Sequence, residues 1–187
     1  IDSKVKVFVD TAPLMEKPLA SQAGIGWQGK HTNLVSKKFG SWLLLGTILV
    51  SKELNSNIQH PDNCGTCNKC IDICPTGAIP EPYRLDARKC ISYLTIELKG
   101  SIPEPLRGLI GNRVFGCDDC QLICPWNKFA KPTDEKDFSP RHGLDNASMV
   151  DLFLWTEDEF DTKTQGSPIR RIGYERWLRN LAVGIGN

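Results

Sequence analysis

The chain has 187 residues, 40% of them hydrophobic and 24% charged, with a formal net charge of +1. This composition excludes a disordered chain, a low-complexity fibre and a bulk-basic nucleic-acid tail, and the length suits one domain or a domain and a half. The longest apolar run, "WLLLGTILV" from Trp42 to Val50, falls well short of the roughly 20 residues of a membrane span, so no membrane contact is expected.

"KVKVFVD" alternates Val5, Val7 and Val9 with Lys4, Lys6 and Phe8, the period of a strand, and ends at Asp10. "PLMEKPLASQAG" then predicts a helix with Pro13 at its first position, Gly24 just past its end and Pro18 shortening or kinking it. "GIGWQGKHTN" is a Gly-rich loop, and "SWLLLGTILV" predicts a second, buried strand. Residues 1–58 thus look like the end of an α/β domain, and 59–130 form a cysteine-rich region with helices at 85–100 and at "IPEPLRGLIGNRVFG". Residues 131–187 are a polar connection followed by amphipathic helices, "MVDLFLWTEDEFDT" and "SPIRRIGYERWLRNLAVGIGN", the second placing Ile169, Ile172, Trp177 and Leu181 on one face. The first residue is not Met and both ends look like the middle of a fold, so a piece of a longer protein is expected.

Cys64, Cys67, Cys70 and Cys74 follow C-x2-C-x2-C-x3-C, with Pro75 next, the bacterial ferredoxin pattern for iron–sulfur cubanes. A second stretch keeps C-x2-C-x3-C-P at Cys117, Cys120, Cys124 and Pro125. Its missing cysteine falls at Val114, and Cys90 is the only candidate substitute. Three closely spaced thiolates wrap one cube, and the fourth, before Pro, points to the other cluster. This assigns Cys64, Cys67, Cys70 and Cys124 to one [4Fe–4S] cluster and Cys74, Cys90, Cys117 and Cys120 to another. Disulfides would suit a denser, secreted chain, and two four-cysteine zinc sites would leave the C-P endings unexplained.

"VDTAPLMEKPLASQAGIGWQGKHTNLVSKKFGSWLLLGTIL", the two cysteine motifs and "SPIRRIGYERWLRNLAVGIGN", in that order, resemble the epoxyqueuosine reductases over essentially the whole chain. The resemblance implies an α+β architecture: the C-terminal remnant of an α/β cobalamin domain, a ferredoxin-like two-cluster module, and the opening of a HEAT-like α-helical region. It implies reduction of epoxyqueuosine to queuosine in tRNA, with cobalamin and two [4Fe–4S] clusters as cofactors. The implied partners are a queuosine-family anticodon stem-loop and an external electron donor, for a cytoplasmic, monomeric oxidoreductase.

By the same resemblance Asp10 is the proton donor, although an Asp before a helix is also an ordinary cap. Opening an epoxide and releasing its oxygen as water takes two electrons and two protons, so an acid is needed. Lys30, Val35, Gly46, Ser92 and Asp118 are implied corrin contacts, and Gly24, Gly26 and Gly29 would allow close backbone approach. His31 has the bland reading of a hydrogen-bonded histidine, and Trp126 that of a lid over a cluster. Two cationic groups are candidates for tRNA phosphate: Arg84, Arg88, Lys89, Lys99, Arg107 and Arg113, and on the last helix Arg170, Arg171, Arg176 and Arg179. A corrinoid reductive dehalogenase and a non-catalytic two-cluster electron carrier are the rival readings.

Overall fold

The computed structural model describes residues 4–55 and 58–187. Its strands are β1 (Val5–Phe8), β2 (Trp27–Gln28), β3 (Leu34–Val35) and β4 (Thr47–Val50). Its helices are α1 (Glu16–Gln22), α2 (Lys69–Asp72), α3 (Ile91–Ile96), α4 (Glu104–Ile110), α5 (Asp119–Leu122), α6 (Met149–Phe153), α7 (Glu157–Lys163) and α8 (Gly173–Ile185).

The chain forms two compact units that cut across the expected sequential segments. The first holds residues up to Ile73, then Ile79–Leu85 and Asp119–Lys131; the second holds Cys74–Ala78, Asp86–Asp118 and Pro132–Asn187. The chain changes unit inside each cysteine motif, so the two motifs do not each make a unit of their own.

In the first unit β1 and β4 pair antiparallel, Val5 with Val50 and Phe8 with Thr47. The long apolar run is not the buried strand that its composition suggests. Only Thr47–Val50 is extended in a ladder, and Leu44 and Ile48 are 82% and 64% exposed. The reason is that this ribbon has two strands and, among the described residues, no layer covering its faces. Helix α1 begins at Glu16, three residues later than Pro13 suggests. Pro18 therefore falls in the first turn, where its missing N–H costs nothing, and it neither kinks nor shortens the helix. The helix stops on a Schellman motif: Ile25 N–H donates to Ala20 O and Gly24 N–H to Ser21 O, with Gly24 at φ +75. A short hairpin follows, pairing Trp27 with Val35 and Gln28 with Leu34.

The second unit is helical. One apolar core gathers Leu152, Trp155, Phe160, Ile172, Trp177 and Leu181, and a second gathers Ile91, Leu94, Ile102 and Ile110. "MVDLFLWTEDEFDT" is not one helix but α6 and α7, broken at Trp155. Thr156 starts the second with a capping box to Glu159, a T-x-x-E signal present in the sequence. α8 buries Trp177 and Leu181, and Ile172 just before it, as its spacing predicts.

The polar residues of α8 have a different role from the one expected. Arg179 donates to the carbonyls of Leu94, Leu98 and Gly100, and Arg176 to that of Ile96. Asn180, fully buried, donates to Thr95 O and Val114 O, both at 2.8 Å. These groups donate to the carbonyls at and just past the C-terminal end of α3, where no further turn supplies backbone N–H donors. Thr95 Oγ1 donates to Ile91 O and accepts from Gly116 N–H, tying the same helix to the loop before Cys117. Asn180→Ala should therefore destabilise this unit by roughly 2–3 kcal/mol, since the buried Thr95 carbonyl and the partly buried Val114 carbonyl lose their donor. The check is a lowered denaturation midpoint, with exposed Asn146→Ala changing it little.

Candidate metal centre

All eight cysteines are free thiols. Cys64 and Cys67 come from the loop leading into α2 and Cys70 from α2 itself, and Cys124 precedes the 3-10 turn Pro125–Phe129. These four, all in the first unit, line one cavity of about 110 Å³ together with Lys30, His31 and Trp126. Burial pushes the Cys70 thiol up, and the charges of Cys64, Cys124 and Cys67 push it further. Burial also raises the Cys64 and Cys124 thiols. Filling such a site means displacing protons, so it should be favoured by rising pH.

The donor set fits a cubane. Among the described residues no three His, Cys, Asp or Glu side chains stand close enough to share one ion. A cubane carries its thiolates on separate irons around a core, farther apart than the ligands of one tetrahedral zinc. Four thiols around a shared cavity match the former.

The hairpin between β2 and β3 builds the cavity's other wall. Trp27 is 2% exposed, and its indole Nε1–H donates to Cys64 Sγ at 3.5 Å. Lys30 is 7% exposed, and Nζ donates to Gly65 O (2.7 Å), Cys67 O (3.0 Å) and Asn68 Oδ1 (3.1 Å). An ammonium has three hydrogens, and all three are spent on the cluster loop. In this structure Lys30 therefore has no ammonium hydrogen left for a further acceptor. Val35 is fully buried behind the hairpin, so its side chain is a packing element.

The glycines expected to admit a corrin have internal reasons. A Cβ on Gly26 would run into Val35 O, and one on Gly29 would stand 2.9 Å from Val35 Cγ2. His31 is buried and hydrogen-bonded, as its bland reading has it. Nδ1 accepts from Asn33 N–H at 3.1 Å, and burial lowers the imidazole to about 4, so it is neutral with its proton on Nε2. Trp126 lines the cavity and meets Trp27 edge-on at 5.0 Å, while its Nε1–H donates to Asn63 O. Behind it the Asn127 amide ties to Ser41 N–H at 2.6 Å and to Gln121 O. Sequence reasoning assigns Trp27 and Asn127 no role, although both lie inside recognised motifs, because periodicity says nothing of what an indole or an amide meets.

The other four cysteines divide between the units: Cys74, Cys90 and Cys117 in the second, Cys120 in the first. Cys74 Sγ accepts Ala78 N–H at 3.3 Å, and Cys90 is the N-cap residue of α3. Val114, where the motif lacks its cysteine, packs against the Trp177 core instead.

Asp10 is exposed, with φ +52, and its own N–H donates to Glu16 Oε1 at 3.1 Å. It does not cap α1, whose N-cap residue is Met15. A non-glycine residue in left-handed backbone is uncommon, and such conformations cluster at functional sites. Gly46 is exposed, and an added Cβ would meet nothing nearer than Val9 Cγ2 at 3.6 Å, so the chain's own packing does not require glycine there. In the second unit Ser92 is half-buried and Asp118 exposed.

Residues 63–127 match the model of the 4Fe-4S double cluster binding domain. The epoxyqueuosine reductase of Pseudomonas aeruginosa is 61% identical over 183 residues, 97% of this chain and 51% of that protein. The chain belongs to the epoxyqueuosine reductase family. A crystal structure of an epoxyqueuosine reductase with an epoxyqueuosine-modified tRNA-Tyr stem loop matches with a TM-score of 0.93 at 32% identity, over 99% of this chain and 49% of that one. The epoxyqueuosine reductase of Bacillus subtilis, described with its catalytic aspartate loop swung out of the active site, matches at 0.91 and 31%, over 98% and 48%. The chain thus spans about half the length of these epoxyqueuosine reductases, which share its mixed helix and strand content.

Proposed function

We propose that this chain is the cluster-bearing part of an oxidoreductase that reduces epoxyqueuosine to queuosine in tRNA. The observation that carries the reading is the four-thiol cavity, in a chain that also holds Asp10 out on a left-handed turn and is 61% identical to a protein of that activity. The reaction consumes two electrons and two protons and releases the epoxide oxygen as water. The thiolates of Cys64, Cys67, Cys70 and Cys124, and of Cys74, Cys90, Cys117 and Cys120, hold two [4Fe–4S] clusters that pass electrons from an external donor. Asp10 donates a proton to the departing oxygen. An exposed loop for that acid accords with the catalytic aspartate loop described as swung out of the active site in the Bacillus subtilis protein.

Cobalamin is the further cofactor in this reading, and when bound it supplies the reducing nucleophile. The residues present fit it in part. Gly46, Ser92 and Asp118 remain its proposed contacts, whereas Lys30 and Val35 are engaged within the chain. The same reading takes residues 1–58 as the remnant of a cobalamin domain, 59–130 as the ferredoxin-like module and 131–187 as helices opening a HEAT-like region, in a monomeric cytoplasmic enzyme. Among the described residues no helix is long and apolar enough to cross a membrane. The test is anaerobic turnover of an epoxyqueuosine-containing stem-loop by the full-length protein, read as a nucleoside lighter by one oxygen. No such product, with reduction of a small organohalide instead, would replace the reading.

For tRNA contact Arg176 and Arg179 are unsuitable, since their guanidiniums serve α3. Arg170 and Arg171 form exposed ion pairs with Asp161 and Glu97, and such pairs are worth little against phosphate. Reversing both charges in the full-length protein should weaken stem-loop binding and flatten its dependence on salt, by roughly 0.7–0.9 in log–log slope for each phosphate that is no longer neutralised. Titration across salt concentrations checks this, with an unchanged slope counting against these two.

A further inference from the structure

Around the first thiol set stand two polar groups that the reaction itself does not use. Lys30 is an aliphatic chain ending in a cation, buried to 7% exposure and lining the cluster cavity. Burying a cation is costly unless it is paired or fully hydrogen-bonded. Here it has three oxygen acceptors, two of them carbonyls of the loop that presents Cys64 and Cys67, and no carboxylate among them. None of these acceptors carries a formal charge, and the carboxylate that feels the Lys30 charge, Asp62, does so through space without a hydrogen bond to it. A [4Fe–4S] cluster with four thiolates is an anion, and it gains one more negative charge on reduction. A second group, the Trp27 indole N–H, points at Cys64 Sγ from a buried position.

Both features act on the same quantity. The reduction potential of such a cluster is set by net charge, by hydrogen bonds to its sulfurs and by solvent exposure. A fixed cation in a site shielded from water favours the more negative, reduced state, and attraction in such a site is stronger than in water. A donor to a ligating sulfur drains charge from it and does the same. We propose that Lys30 and Trp27 raise the reduction potential of the cluster held by Cys64, Cys67, Cys70 and Cys124, and that the β2–β3 hairpin is the element that tunes this cluster. The step is a one-electron reduction by the external donor, with no bond made or broken. Lys30 and Trp27 are positioning residues here, acting on the cluster through its loop and its ligand. The inference rests on the two-cluster reading above.

The experiment uses full-length, anaerobically reconstituted protein. Lys30→Met removes the charge and Trp27→Phe removes only the N–H, and each is followed by redox titration with electron paramagnetic resonance. The expected result is a full iron complement in both variants with one of the two midpoint potentials moved down and the other unmoved, the larger shift belonging to Lys30→Met. Lys30→Arg should restore most of that shift. Repeating the titration in a Cys90→Ala background, where only the first cluster is expected to remain, identifies the one that moves. Unchanged midpoints at full iron content would overturn the proposal, as would equal shifts in both clusters. Iron loss in both Lys30→Met and Trp27→Phe would also overturn it, making the hairpin a scaffold and no more. Wild-type protein that binds zinc and no iron would instead remove the two-cluster reading, a separate failure.

Discussion

Asp10→Asn in the full-length enzyme should bind both clusters as the wild type does and lose most of its turnover. General acid catalysis is typically worth about 10²–10⁴-fold, and an amide of nearly the same shape has no proton to give. Asp10 is exposed, it is not the cap of α1, and its hydrogen bond to Glu16 runs through its backbone N–H, which the substitution keeps. Asn also tolerates the left-handed φ of +52 as well as Asp does. The measurement is single-turnover reduction at saturating stem-loop, beside iron content and thermal stability. Turnover within a few-fold of wild type would leave Asp10 with a turn-forming role only.

Crossed ligation predicts an equally large and more selective result. Cys67→Ala combined with Cys124→Ala should remove a single cluster, because both thiols line one cavity despite lying 57 positions apart in the chain. Cys67→Ala combined with Cys74→Ala, though both lie in one motif, should remove both clusters. Iron and sulfide content per chain separates the two outcomes; turnover does not, since losing either cluster breaks the electron path. The reverse pattern, with both clusters lost in the Cys67–Cys124 pair and only one in the Cys67–Cys74 pair, would mean that each motif fills its own cluster.

Thiol spacing carried the first ligand set because a ligand pattern is a local property: two intervening residues fix a loop around one cube, and a following proline turns the next thiol away. The capping box in T-E-D-E is equally local, yet the hydrophobic spacing of its segment predicts a single helix running through it. Lys30 was not legible in this way. Nothing in "GWQGKHTN" says that a lysine at a hairpin tip will be buried, because its three acceptors lie 35 to 38 residues downstream. The arginines of α8 misled for the same reason. A basic amphipathic helix looks like a phosphate-binding face until the carbonyls it serves, some 80 residues back, are in view. The long apolar run misled by composition alone. Hydrophobicity marks what benefits from cover, and in β4 that cover is absent among the described residues.

The bonds from α8 back to α3 also set a timetable for synthesis. Asn180 and Arg179 reach groups 85 residues nearer the N-terminus. At about 5–20 residues per second on the ribosome, α3 waits roughly 4–17 s after its own translation before the helix that closes its carbonyl end has even been made. Cys90 is made at the start of that interval and Cys117 27 residues later, both well before the frame meant to hold them has its last member. A cluster inserted before Asn180 is made would therefore enter a second unit whose α3 carbonyls still lack their donors.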